Sequence, residues 1–281
     1  MDIRFSKVHG TGNDYIVVNT ADQSFHDWPA LARWACQPHL GVGADGLVVL
    51  THHQQGRFAV DSLNPDGTPS EMSVNALRCA AREIRHRYGQ RSATLVMNGR
   101  EHAAECAGDE VSVRVGAVPR PQGPYEVDGL AVYYVPTPNE DAVAMVSDVD
   151  SCDVAVLGPA VRRHAPLAHL PVNVNFVTPQ GGSELRVRTF EHGVEGETLS
   201  SGSGAVSAAV VASRLGLLAG RRVLVSNRSA GSLSVDLGDP TDGHRDVWLA
   251  GEAVRVFSGE LCCPNGVLPA YATAAGQVPR W

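Results

Sequence analysis

The sequence predicts an α+β fold of two pseudo-symmetric lobes, each built of several strands wrapped around one central helix. Three observations carry that reading. Many short β-type runs recur along the chain. Only two segments read as long helices, and both are rich in alanine. Those helices, each with an asparagine-bearing segment ahead of it, recur at nearly one spacing.

The β-type runs include residues 15–18, 47–50, 111–115, 131–135, 172–177 and 185–190. They are rich in β-branched and aromatic residues, and several alternate apolar with polar positions, as half-buried strands do. Glycine and proline punctuate them at short intervals. The first helix begins near Ser73 and runs Val-Asn-Ala-Leu-Arg-Cys-Ala-Ala-Arg-Glu-Ile-Arg. The second begins near Ser201 and runs Gly-Ser-Gly-Ala-Val-Ser-Ala-Ala-Val-Val-Ala-Ser-Arg. Serine suits a helix start because its hydroxyl accepts a hydrogen bond from an otherwise unpaired N–H of the first turn. Small residues on every side predict helices buried inside a β layer.

Ser73 and Ser201 stand 128 residues apart. Asn13, in Gly-Asn-Asp-Tyr-Ile-Val-Val, and Asn139, in Pro-Asn-Glu-Asp-Ala-Val-Ala-Met-Val, stand 126 apart. Two features repeating in the same order point to a duplicated unit. The division is expected in the proline- and glycine-rich stretch 118–124, giving lobes 1–118 and 119–264.

Composition narrows the function classes. At 43% apolar and 19% charged residues the chain is an ordinary globular protein. Its net charge of −7 argues against a nucleic-acid partner, and its densest basic cluster, residues 82–87, has the spacing of a solvated helix face. The chain shows no signal-like N-terminus and no apolar run near 18 residues, so a soluble cytoplasmic protein without a membrane partner is expected. The six cysteines (36, 79, 106, 152, 262 and 263) make no metal-ligand spacing, and the eleven histidines make no HExxH or HxH pattern, which argues against a zinc site. Scattered cysteines fit reduced, mostly buried thiols.

A helix N-terminus carries unpaired N–H groups and a partial positive charge, and it binds carboxylates well. Two such termini meeting at a cleft between lobes could hold one α-carboxylate and face opposite sides of its Cα. That geometry suits stereoinversion, in which one group removes the Cα proton and another returns a proton from the far side. Spacing alone leaves the plain alternative open, that Ser73 and Ser201 are helix caps and nothing more.

Longer motifs carry a resemblance. Residues 7–19, Lys-Val-His-Gly-Thr-Gly-Asn-Asp-Tyr-Ile-Val-Val-Asn, and residues 41–47, Gly-Val-Gly-Ala-Asp-Gly-Leu, look like the first two motifs of the diaminopimelate epimerases. Asn64-Pro-Asp-Gly, then residues 71–79, Glu-Met-Ser-Val-Asn-Ala-Leu-Arg-Cys, resemble the segment bearing that family's first catalytic cysteine. Leu157-Gly-Pro, residues 173–177, and residues 189–204, Thr-Phe-Glu-His-Gly-Val-Glu-Gly-Glu-Thr-Leu-Ser-Ser-Gly-Ser-Gly, resemble its second half. The match runs in order over nearly the whole chain. It implies two β-barrel-like lobes, with 265–281 returning to the first. It also implies a homodimer and cofactor-independent proton transfer by a thiol pair, without pyridoxal phosphate.

The departures gather on the expected site. Both thiol positions are hydroxyls, Ser73 and Ser201. A family histidine aligns with Asp141, a family arginine with His192, and two glycines with Val74 and Ala76. Two Cys→Ser changes alone would fit a trapping variant; the others point to natural divergence. A thiol has a pKa near 8.5, which a helix N-terminus lowers, whereas a serine hydroxyl needs a strong base beside it. Asp141 and Glu191 are therefore expected as acid and base, with Ser73 and Ser201 holding a carboxylate or a water; the alternative for each acid is a salt bridge or a solvated carboxylate. Asn13, Asn64, Asn75, Asn139 and Asn173 stand at positions matching the family, and they complete the expected substrate-binding set with Val74, His192, Gly202 and Ser203. Loss of the arginine implies an amino-acid-like substrate with a different tail. Three functions compete: an isomerase of a specialised biosynthetic pathway, an elimination or cyclisation in the same cleft, and a non-catalytic amino-acid-binding protein.

Overall fold

The computed structural model describes residues 2–22, 25–54, 56–229, 231–241 and 244–262. In chain order the first strands are β1 (Asp2–Gly10), β2 (Asn13–Asn19), β3 (Gly46–His52), β4 (Arg57–Leu63), β5 (Ser92–Met97), β6 (Arg100–Ala107) and β7 (Glu110–Val118). There follow β8 (Gln122–Val127), β9 (Leu130–Val135), β10 (Asp141–Met145), β11 (Asn173–Gly181), β12 (Glu184–Glu191), β13 (Gly196–Thr198), β14 (Arg222–Ser226), β15 (Ser232–Asp236), β16 (Pro240–Thr241) and β17 (His244–Cys262). The helices are α1 (Trp28–Ala35), α2 (Val74–Tyr88), α3 (Val154–Arg163) and α4 (Gly202–Arg214).

The chain divides into two compact units. One holds the residues up to Val111 together with the described residues from Ala253 on, and the other is Ser112–Glu252. The divisions fall inside β7 and β17, two strands that run on through them, rather than in the proline- and glycine-rich stretch 118–124. Residues 122–124 of that stretch already belong to β8. The returning segment expected at 265–281 lies outside the described residues.

In the first unit β1 runs antiparallel to β17 and β2, β2 parallel to β3, β3 antiparallel to β4, β4 parallel to β5, and β5 antiparallel to β6. The layer rejoins β17 where the Ala253 N–H donates to the Asp109 carbonyl at 2.9 Å. Each parallel pair needs a crossover, and the helices supply them, α1 between β2 and β3 and α2 between β4 and β5. Helix α2 lies against β1 through β6 and buries Val74, Ala76, Leu77, Cys79, Ala80, Ala81 and Ile84. Its alanines let strands approach from all sides. Helix α1 covers the opposite face, packing Leu31 and Trp34 against Ile3, Ile16, Val18, Leu47 and Val49. With both faces covered, β2 and β3 are almost wholly buried, so they read as continuous apolar runs.

The second unit repeats the order. Strand β9 is antiparallel to β10, β10 parallel to β11, β11 antiparallel to β12, β12 parallel to β14, and β14 antiparallel to β15. Helix α3 makes the first crossover and α4 the second, and α4 lies against β10, β11, β12, β14 and β15. The matching elements β2/β10, α1/α3, β3/β11, β4/β12 and α2/α4 start 126 to 128 residues apart. This is the duplication that the serines and asparagines signalled. Glycine permits the tightest packing: a Cβ on Gly158 would come within 2.4 Å of the Phe190 ring, and one on Gly204 within 2.0 Å of Asn175 Oδ1.

Candidate functional site

In the first unit the site forms around the start of α2. Ser73 has extended backbone and caps the helix, its Oγ accepting from the Ala76 N–H at 3.1 Å. The same oxygen lies 2.8 Å from the Tyr15 hydroxyl. Tyr15 donates to Asn13 Oδ1 at 2.8 Å, and Asn75 Nδ2 donates to that oxygen at 3.1 Å. Asn13 Nδ2 donates to Asp45 Oδ2 at 2.8 Å, while the wholly buried Arg78 donates to Asn75 Oδ1 at 2.6 Å and to Thr11 Oγ1 at 3.0 Å. The Asp14 and Asp45 segments are tied together: the Asp45 N–H donates to Asp14 Oδ1 at 2.9 Å, and Lys7 pairs with Asp14 at 2.6 Å. Burial pushes the Asp45 carboxyl above the usual range, and the Asn13 amide opposes the shift.

Three sequence motifs thus converge. They bring Asn13, Ser73 and Asn75 together. Asn64 stands apart on an exposed turn, donating to Thr68 Oγ1 at 3.0 Å. The Val74 side chain is buried in the core, which leaves only its backbone to meet a ligand. Tyr15, Asp45 and Arg78 belong to the network and were not singled out. Tyr15 was hidden because Tyr-Ile-Val-Val reads as strand interior. Arg78 had a usable signal in its spacing, three residues after Asn75 on the same helix face.

In the second unit Ser201 caps α4, its Oγ accepting from the Gly204 N–H at 3.1 Å. Asp141 opens β10 and is wholly buried. Its Oδ1 accepts from Asn175 Nδ2 at 2.9 Å and, weakly, from Ser203 at 3.5 Å. Its Oδ2 accepts from Thr137 at 2.9 Å and Ser207 at 3.1 Å. Burial raises its pKa, and these donors partly offset the rise. The carboxylate is closed off from solvent and turned onto α4. Asn175, Thr137, Ser207 and Thr189, whose hydroxyl donates to Asn175 Oδ1 at 2.7 Å, were not singled out. Asn175 lies two residues from Asn173, hence on the same face of β11.

Asn173 bridges its neighbours, donating from Nδ2 to the Asn139 carbonyl at 3.3 Å and accepting at Oδ1 from the His192 N–H at 2.9 Å. His192 contributes its backbone to this network, and the residue is exposed. Glu191 ends β12 and is half-buried, and its carbonyl accepts from the Glu195 N–H at 2.9 Å. Gly202 is buried in the first turn of α4, with the half-buried Ser203 beside it. Among the described residues the thiols lie elsewhere. Cys36 and Cys79 are buried, and burial pushes both up to about 12.

The sequence profile of the diaminopimelate epimerases matches residues 5–120 and 133–256. The diaminopimelate epimerase of Moorella thermoacetica is 33% identical over 92% of this chain and 99% of its own length. The chain belongs to the diaminopimelate epimerase family. The Aquifex aeolicus diaminopimelate epimerase is likewise 33% identical, over 92% of this chain and 98% of its own. Among solved structures, a phenazine biosynthesis protein of the PhzF family from Bacillus anthracis shares the fold, with a TM-score of 0.71 over 94% of this chain and all of its own at 13% identity. Membership makes this a chain of an isomerase family, built as two α+β repeats.

Proposed function

We propose that this protein is a cofactor-independent isomerase that moves a proton at a carbon next to the carboxylate of an amino-acid-like substrate by a mechanism without thiols. We assign it to a specialised biosynthetic pathway, where constraint toward diaminopimelate is relaxed. One observation carries the reading: both central helices start on a serine hydroxyl, and the buried cysteines lie elsewhere with their thiols held neutral by burial. Serine cannot serve as a free base near neutral pH. Of the two carboxylates that the sequence offered, Asp141 is closed off, so Glu191, half-buried at the end of β12, is the acid/base group. Asp141 holds the first turns of α4, and Ser73, Ser201 and the surrounding asparagines bind and orient the substrate.

The test is deuterium exchange at Cα in heavy water. The panel is the common L-amino acids, trans-4-hydroxy-L-proline and the diaminopimelate stereoisomers. Exchange with inversion in one or more members is expected, and Glu191→Gln lowers its rate about 100-fold, the lower end of what a positioned acid/base group contributes. Exchange that yields a new product would replace the reading with elimination or cyclisation. Binding without exchange would replace it with a non-catalytic binding protein.

A further inference from the structure

The hydrogen-bond chain behind Ser73 has a fixed direction, and chemistry at its two ends sets it. At one end the Arg78 guanidinium can only donate, so the Asn75 amide must turn Oδ1 to it, at 2.6 Å, and Nδ2 away. Asn75 Nδ2 then meets Asn13 at 3.1 Å, and the atom it meets must be the carbonyl oxygen. At the other end Asp45 Oδ2 already accepts the Asp14 N–H at 3.1 Å, and Asn13 turns Nδ2 toward it at 2.8 Å. Both ends give Asn13 the same orientation. Asn13 Oδ1 can only accept, so the 2.8 Å contact with the Tyr15 hydroxyl consumes the single phenolic proton. The remaining 2.8 Å contact, Tyr15 to Ser73, must therefore use the proton of Ser73.

We infer that Tyr15 is a positioning residue that holds the Ser73 proton, so that Ser73 meets the substrate as a hydrogen-bond acceptor only. A serine oxygen has one proton and two lone pairs. The proton goes to Tyr15 and one lone pair to the Ala76 N–H, which leaves one lone pair for a ligand. An ammonium or other N–H donor satisfies it, and a carboxylate oxygen does not. This revises the expectation that Ser73 grips the substrate carboxylate. The inference rests on the proposed function only in taking Ser73 to face the substrate; the position of the proton does not depend on it.

Neutron diffraction from crystals grown in heavy water tests the proton directly and needs no substrate. A deuterium bonded to Ser73 Oγ and directed at Tyr15, with the Tyr15 deuterium directed at Asn13, is the expected map. A Tyr15 deuterium directed at Ser73 overturns the inference, whatever the enzyme catalyses. Kinetics test the consequence, using the panel member that exchanges fastest. Tyr15→Phe should raise its KM about tenfold, the scale of one hydrogen bond to a charged group, while kcat changes less than about threefold. In a Ser73→Ala background the same change should add nothing. An undiminished effect there means that Tyr15 does not act through Ser73 and overturns the inference. If no panel member exchanges, the isomerase reading falls, and the neutron map decides the inference alone.

Discussion

Tyr15 and Asp141 occupy the same place in the two repeats: each is the first residue of its strand in the parallel ladder, opposite Gly46 in one unit and Asn173 in the other. Each backs the start of a central helix that a serine caps. Behind α2 stands a neutral hydroxyl in a chain of amides stretched between Asp45 and Arg78. Behind α4 stands a buried carboxylate that gathers donors from β11 and from the helix itself. The difference teaches where duplication is free to drift. Strand order, crossovers and caps are held because the barrel requires them, while the polar residue under the helix start can change chemistry as long as its hydrogen bonds are completed.

The largest expected effect breaks the second backing. Asp141→Ala leaves the Asn175 amide and several hydroxyls without their acceptor, so unfolding in urea should show a loss of about 3 kcal/mol. An unchanged midpoint would mean that the carboxylate does not hold α4. Next is the exchange of one repeat's residue for the other's. Ala76 in α2 corresponds to Gly204 in α4, whose Cβ would fall 2.0 Å from Asn175 Oδ1. Gly204→Ala should cost about 2 kcal/mol by overpacking, whereas Ala76→Gly should cost about 1 kcal/mol by helix propensity alone. Equal costs would erase the asymmetry.

A pH series sharpens the contrast further. Burial raises the Asp141 pKa in the fold, so the native state binds more protons than the unfolded chain between its ordinary value, about 4, and the raised one. Over that window wild-type stability should fall as pH rises and then level off, and Asp141→Asn should lack this component. A difference curve between the two proteins that stays flat from about pH 4 upward would contradict it. The smallest effects concern the caps. Ser201→Ala should cost about 1 kcal/mol as a lost cap, and Ser73→Ala somewhat more, since it also removes the proton given to Tyr15.

The architecture was legible because its signals are local. Alanine-rich helices opened by serine, and asparagines repeating at the same offset, need no knowledge of distant contacts. The polar interior was less legible. Whether Glu140 or Asp141 faces inward depends on where β10 begins, and Asp141 is the residue turned onto α4. His192 reads as a ligand-binding side chain, yet the network takes its N–H. Tyr15 looks like strand filling until the 58-residue separation from Ser73 is closed by the fold. The unit divisions are hard to read from the sequence for a related reason. Proline and glycine mark turns, but they do not show that β7 and β17 run on through the division.

That last feature bears on the order in which the protein acquires structure. Ser112–Glu252 is one continuous stretch, complete as soon as it has been synthesised. The other unit begins first but needs residues 253–262, since β17 is the partner of β1 along Asp2–Gly10. Its open strand edge must wait for more than half of translation, and closing so long a loop is slow. Protease resistance measured on stalled nascent chains should therefore appear in the second unit before the first. The half that begins at the N-terminus is the half that finishes last, and until then β1 offers an unpaired edge for a chaperone to guard.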